Sequence, residues 1–117
     1  LHYNLKNKIR QKEEMMLAQF SIVPLGKGES ISRYVARVIK EVEKSGLDYR
    51  LTAMATIVEG TPDEVFALIQ RCHKKITRLA PRVLTTIIVD DRKGAKNRIS
   101  GKIKSVEKKL KRKLKTN

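Results

Sequence analysis

Cys72 and His73 are adjacent, and a thiol beside an imidazole is the first pairing in this sequence with the makings of chemistry. Neighbours on a helix point about 100° apart, however, and Cys72 falls within an apolar stripe, so packing in a core is the favoured reading. His2 and His73 stand too far apart to make a recognisable metal motif, and there is no second cysteine to help, so no metal or cofactor is expected. Asp90-Asp91-Arg92 suits a cation or a polar ligand, and equally suits a solvated strand end with a local ion pair. Pro24-Leu25-Gly26-Lys27-Gly28 precedes a helix but lacks the spacing of a phosphate-binding loop and reads as a connector. No nucleophile with a base and no acid–base pair at reasoned spacing stands out. The residues favour binding over catalysis, and no enzyme activity is expected.

Polar residues on strands say more. Gln19 and Ser21 fall on one face of the first strand, with Phe20 on the other. Thr56 and Thr86 are expected to join Gln19 and Ser21, the latter if Val83, Thr85, Ile87 and Val89 point inward. Met54 offers an apolar wall, Glu59 a carboxylate for an amino-bearing ligand or for the start of the next helix, and Asp91 a polar end. Closed over by another subunit, this surface has the mixture of apolar walls and a few fixed hydrogen-bonding groups used by small-molecule pockets.

The elements that must position these residues follow from patterning. Leu17 to Val23 alternates as a strand, and a helix over 31–45 carries Ile31, Val35, Val38, Ile39 and Val42, with Ser30 as its expected N-cap and Gly46 at its end. Two strands follow, Asp48 to Ala53 and Thr56 to Gly60. Thr61-Pro62-Asp63-Glu64 is the clearest local signal, a capping box with proline at the first helical position. The helix it starts has the stripe Val65, Leu68, Ile69, Cys72, Ile76 and Leu79. Val83, Thr85, Thr86, Ile87, Ile88 and Val89 are β-branched and make a closing strand. A last, basic helix, residues 96–114 at its widest, carries Ile99, Ile103, Val106, Leu110 and Leu114. The order predicts an α+β, ferredoxin-like βαββαβ sandwich with an added C-terminal helix.

Right-handed crossovers put the first and third strands in the centre and the second and fourth at the edges. The closing strand is then an edge without charge along its length, an association hazard unless something covers it. Val23, Met54 and Val58 are expected on the face without helices. Both features predict a homo-oligomer.

The chain has 117 residues and a formal net charge of +15, divided as +2 over residues 1–14, +2 over 15–91 and +11 over 92–117. Residues 15–91 are nearly neutral, so any nucleic-acid contact belongs to the C-terminal segment, whose basic helix is counted with the single domain taken as 16–114. The favoured use of its apolar stripe is packing on the domain or a partner subunit. Aromatic residues are scarce, at 4%, which weakens both an RNA-stacking reading and a membrane-surface reading. Residues 1–15 show no sustained period and are expected to lie outside the domain, with Met16 as a candidate start of translation. The apolar runs fall short of the roughly 18 residues of a spanning helix, and a cytoplasmic location is expected.

Four segments together resemble the small thiamine-binding family of ferredoxin-like proteins: Phe20-Ser21-Ile22-Val23-Pro24-Leu25-Gly26, Ser30-Ile31-Ser32-Arg33-Tyr34-Val35, the hairpin from Tyr49 through Thr56 to Glu59-Gly60, and Thr85-Thr86-Ile87-Ile88-Val89-Asp90-Asp91-Arg92. The resemblance spans about residues 16–112. It implies a homotetramer built from dimers and a pocket for thiamine or its hydroxymethylpyrimidine part, serving salvage, transport or buffering without known catalysis. An aminopyrimidine suits the surface above: a flat ring between apolar walls, with acceptors and donors from Gln19, Ser21, Glu59 and the threonines.

Overall fold

A computed structural model describes residues 14–116 of the chain. Its order is β1 (Met16–Pro24), α1 (Ser32–Ser45), β2 (Asp48–Leu51), β3 (Thr56–Gly60), α2 (Pro62–Thr77), β4 (Val83–Asp90) and α3 (Arg98–Leu110). The strands form one sheet in the order β2-β3-β1-β4, antiparallel throughout. This is the ferredoxin-like α+β arrangement with a C-terminal helix, and β2 and β4 occupy the edges as predicted. Most of the expected N-terminal extension, residues 1–13, lies outside the described residues.

Local chemistry sets the boundaries. Thr61 Oγ1 accepts from the Glu64 N–H at 3.3 Å while Glu64 Oε1 accepts from the Thr61 N–H at 3.0 Å, a reciprocal cap that starts α2. Such a cap contributes about 1 kcal/mol. Gly46 ends α1 in the left-handed region at φ 72°, where a side chain would be strained. Ser30 does not cap α1: Ile31 occupies that position without a side-chain bond. β2 is shorter than its pattern predicts, because Thr52 leaves the ladder to close the hairpin. Its hydroxyl donates to the Ala55 carbonyl at 2.8 Å and accepts from the Ala55 N–H at 3.1 Å.

The register assigns every strand residue to a face. Met16, Ala18, Phe20 and Ile22 of β1 line up with Val58 and Gly60 of β3 and with Thr85, Ile87 and Val89 of β4 on the face covered by α1 and α2. There Ile87 and Val89 stay exposed at the edge, while Met16, Ala18, Phe20, Ile22 and Val58 meet Val38, Val42, Val65, Leu68, Ile69, Cys72 and Ile76 in the core. At roughly 25 cal/mol per Å² of apolar surface removed from water, these side chains supply most of the driving force for folding. His73 Nδ1 and Thr85 Oγ1, 2.7 Å apart, tie α2 to β4, and Lys75 pairs with Glu41 at 3.2 Å between α2 and α1.

The opposite face carries three rows. Asp48, Glu59, Leu17 and Asp90 cross all four strands in one; Arg50, Ile57, Gln19 and Ile88 make the next; Ser21 stands beside Thr86 beyond them. Thr56 and Val58 are absent from this face, contrary to expectation. They pair with Phe20 and Ala18, so both are buried on the helix side, and Ile57 takes the place intended for Val58.

Candidate functional site

Helix α3 docks on that second face, against β3 and β2. Its anchor is Arg98. The Arg98 backbone N–H donates to both carboxylate oxygens of Glu59, at 2.9 and 3.1 Å, and its guanidinium pairs with the Asp90 carboxylate at 2.9 Å and also donates to the Asp90 carbonyl. One residue therefore joins the ends of β3 and β4 across Leu17, which pairs with both Glu59 and Asp90. Glu59, 3% exposed, works as a helix cap supplied from another element: its charge sits at the positive end of the α3 dipole and satisfies an N–H that has no intrahelical partner. This differs from a carboxylate waiting for a ligand or serving the start of α2. Sequence reasoning did not single out Arg98. The available signal was an arginine opening a helix otherwise rich in lysine, since a planar fork suits carboxylate geometry better than an ammonium does.

Ile99 is buried under the helix and Ile103 is half-buried, whereas Val106 and Leu110 stay exposed. The helix thus covers the β2 and β3 side of the face and leaves a strip over β1 and β4. On that strip lie Gln19, Ser21 and Thr86, with Ile88 (58% exposed) and Leu84 (57% exposed) as apolar neighbours. Three of the anticipated residues therefore come together, with β4 in the parity on which the placement of Thr86 depended. The others do not join them: Thr56 faces the core, Glu59 is held by α3, Met54 is 87% exposed in the β2–β3 turn, and Asp91 follows the opposite end of the sheet.

The adjacent thiol and imidazole separate as expected. Cys72 is buried against α1, with its Sγ 3.8 Å from the Val38 carbonyl, and burial pushes the thiol up to about 11, with a smaller contribution from the Glu41 charge. A neutral, inaccessible thiol is a poor nucleophile. Among the described residues no cluster of three or more His, Cys, Asp or Glu side chains is placed to hold a metal ion.

Two clefts border α3. One, about 930 Å³, lies beneath the helix and is walled by Leu17, Leu51, Ile57, Ile99 and Ile103 among others. The other, about 630 Å³, opens between the β4–α3 loop and the helix, with Leu17 and Asp90 at its floor and Ser105 and Val106 on its far wall.

A family model for thiamine-binding proteins matches residues 18–107. The UPF0045 protein MJ1052 of Methanocaldococcus jannaschii is 35% identical over 91 residues, 78% of this chain and 91% of the relative. Its crystal structure matches with a TM-score of 0.74 at 34% identity, over 80% of this chain and 96% of that one. The UPF0045 protein Mb1933 of Mycobacterium bovis is 40% identical over 96 residues, 81% of this chain and 94% of the relative. A Thermotoga maritima protein provisionally assigned to thiamine biosynthesis or salvage shares the fold, with a TM-score of 0.70 at 18% identity over 79% of this chain and 98% of that one. Among the described residues no helix is long and apolar enough to cross a membrane.

Proposed function

The chain belongs to the thiamine-binding protein family, and from that membership we propose that it binds thiamine or its hydroxymethylpyrimidine moiety on the uncovered strip of the sheet, without catalysing a reaction. The observation that carries the reading is the strip itself. Gln19, Ser21 and Thr86 provide an amide and two hydroxyls on adjacent strands, and Ile88 and Leu84 supply flat apolar contact beside them. An aminopyrimidine has donors and acceptors along one edge and two apolar faces, which is the complement of that surface.

The strip is shallow in a single chain, and a second copy laid over β4 deepens it. Leu84 and Ile88 on the open face of this edge strand and Ile87 and Val89 on its helix side are each more than two-fifths exposed, so both sides of the strand offer apolar surface to a partner. The working assembly in this reading is a homotetramer of paired dimers in the cytoplasm, and the role is salvage, transport or buffering. Calorimetric titration with thiamine and with hydroxymethylpyrimidine tests the ligand: saturable heat with either supports the reading, and heat with neither overturns it.

One observation favours a second reading, nucleic-acid binding through the C-terminal segment. Lys108, Lys109, Lys111, Arg112, Lys113 and Lys115 are exposed and lie beyond the residues that the family model matches. Salt-sensitive RNA binding that disappears on deleting residues 108–117 would establish it.

A further inference from the structure

The cleft between the β4–α3 loop and α3 differs in chemistry from the strip it adjoins. Arg92, Lys93, Lys96 and Lys102 line it, and the acid on its floor, Asp90, is already paired with Arg98 at 2.9 Å. The loop that presents the first three is shaped by a turn in which the Ala95 N–H bonds the Arg92 carbonyl at 3.1 Å, with Gly94 at φ 75°. Gly101 stands on the helix wall. Glycine is the poorest helix former after proline, and a Cβ at this position would meet nothing within 4 Å, so crowding does not explain its presence. Its effect is to lower the wall between Arg98 and Lys102 and keep the cleft open.

The cleft and the strip share a boundary. Leu17 on the cleft floor is two residues from Gln19 on the same face of β1, about 7 Å along the strand. A ligand whose ring lies on the strip extends naturally into the basic cleft. Thiamine carries a fixed positive charge on its thiazolium ring, which this lining repels. A phosphate ester or diphosphate of the same molecule ends in an anion, which the lining attracts, lysine being a compact point charge well suited to phosphate.

We infer that the cleft lined by Arg92, Lys93, Lys96 and Lys102 takes a phosphoryl group, so that the preferred ligand is a phosphorylated form of thiamine or of its pyrimidine alcohol. This rests on the thiamine reading and narrows it to a class of ligand.

The test compares thiamine, thiamine monophosphate, thiamine diphosphate and inorganic pyrophosphate by calorimetry on the full chain. The esters bind at least tenfold more tightly than thiamine, and the ratio falls with rising salt. In the doubly charge-reversed Lys93→Glu/Lys102→Glu chain the ratio collapses toward one. Gly101→Leu, which favours the helix and fills the cleft, also lowers ester affinity relative to thiamine. Thiamine binding as tightly as its esters overturns the phosphoryl assignment and leaves the thiamine reading standing. Pyrophosphate binding as tightly as the diphosphate ester also overturns it, making the cleft a general anion site. No binding by thiamine or either ester overturns both.

Discussion

The backbone N–H of Arg98 and the carboxylate of Glu59, 39 residues apart in sequence, meet at 2.9 and 3.1 Å, and this contact fixes where α3 begins on the sheet. Glu59→Ala removes a buried acceptor and leaves a helix N–H unpaired, which costs about 1–3 kcal/mol. Glu59→Gln, keeping one acceptor, costs less. Urea unfolding checks the order, and amide exchange at Arg98, Ile99 and Ser100 accelerates in the alanine variant before any change in the core.

Cys72 gives a pH dependence with a definite sign. Its folded thiol is raised from 9.0 to about 11 by burial, so the folded state holds its proton where the unfolded state has lost it. The contribution is fully present below pH 9 and is lost as pH rises from 9 to about 11. The shift corresponds to roughly 3 kcal/mol. Cys72→Ala flattens the alkaline limb of the stability profile. In the native protein at pH 8, iodoacetamide leaves Cys72 unmodified, whereas denaturant makes it reactive at once.

On the acid side, Glu41 is held below its ordinary value by its hydrogen bond from Lys75 at 3.2 Å, which outweighs the effect of burial. A depressed carboxyl stabilises the fold above its unfolded value of 4.5, and that contribution disappears as pH falls through the lowered one. Lys75→Met removes the largest cause of the depression. The stability of the variant therefore falls less steeply as pH drops through the acid range than that of the unsubstituted chain, as measured by urea unfolding followed by circular dichroism.

Ile88 tests the proposed assembly. It lies on the second face of β4 with more than half its surface exposed, so Ile88→Asp disturbs little within one chain. In a dimer across this strand the same change buries a charge. Sedimentation equilibrium then shows the mass of the substituted protein falling by at least half, with its far-ultraviolet spectrum unchanged.

Much of the fold is legible in local patterns because local chemistry decides it: the capping box at Thr61, glycine at position 46, and the β-branched run of β4. The facing of β3 is not legible in the same way. Thr56-Ile57-Val58-Glu59 places an apolar residue on each side in either parity, so the alternation carries no preference, and only pairing with β1 turns Thr56 inward and Glu59 outward. That single ambiguity misassigned Thr56 and Val58. Gln19 and Ser21 lie where the sequence places them because Ala18, Phe20 and Ile22 fix the parity of β1, whereas β4 offers apolar residues in either parity and its pairing with β1 is what sets Thr86 beside Ser21. The role of Arg98 depends on two carboxylates brought together from separate strands, a relation of tertiary structure that no run of residues encodes.

The two halves of α3 answer to different constraints. The first turn, through Arg98 and Ile99, is tied to the sheet, while Leu110 is nearly half exposed and the lysines around it face outward. Substitutions in the tethered half act on the sheet through Glu59 and Asp90, whereas among the described residues the exposed lysines of the outer half have no such tie. The outer half is consequently free to drift: lineages sharing this domain can lengthen, shorten or recharge it at little expense to the scaffold, which makes it the portion of the molecule most open to evolutionary experiment.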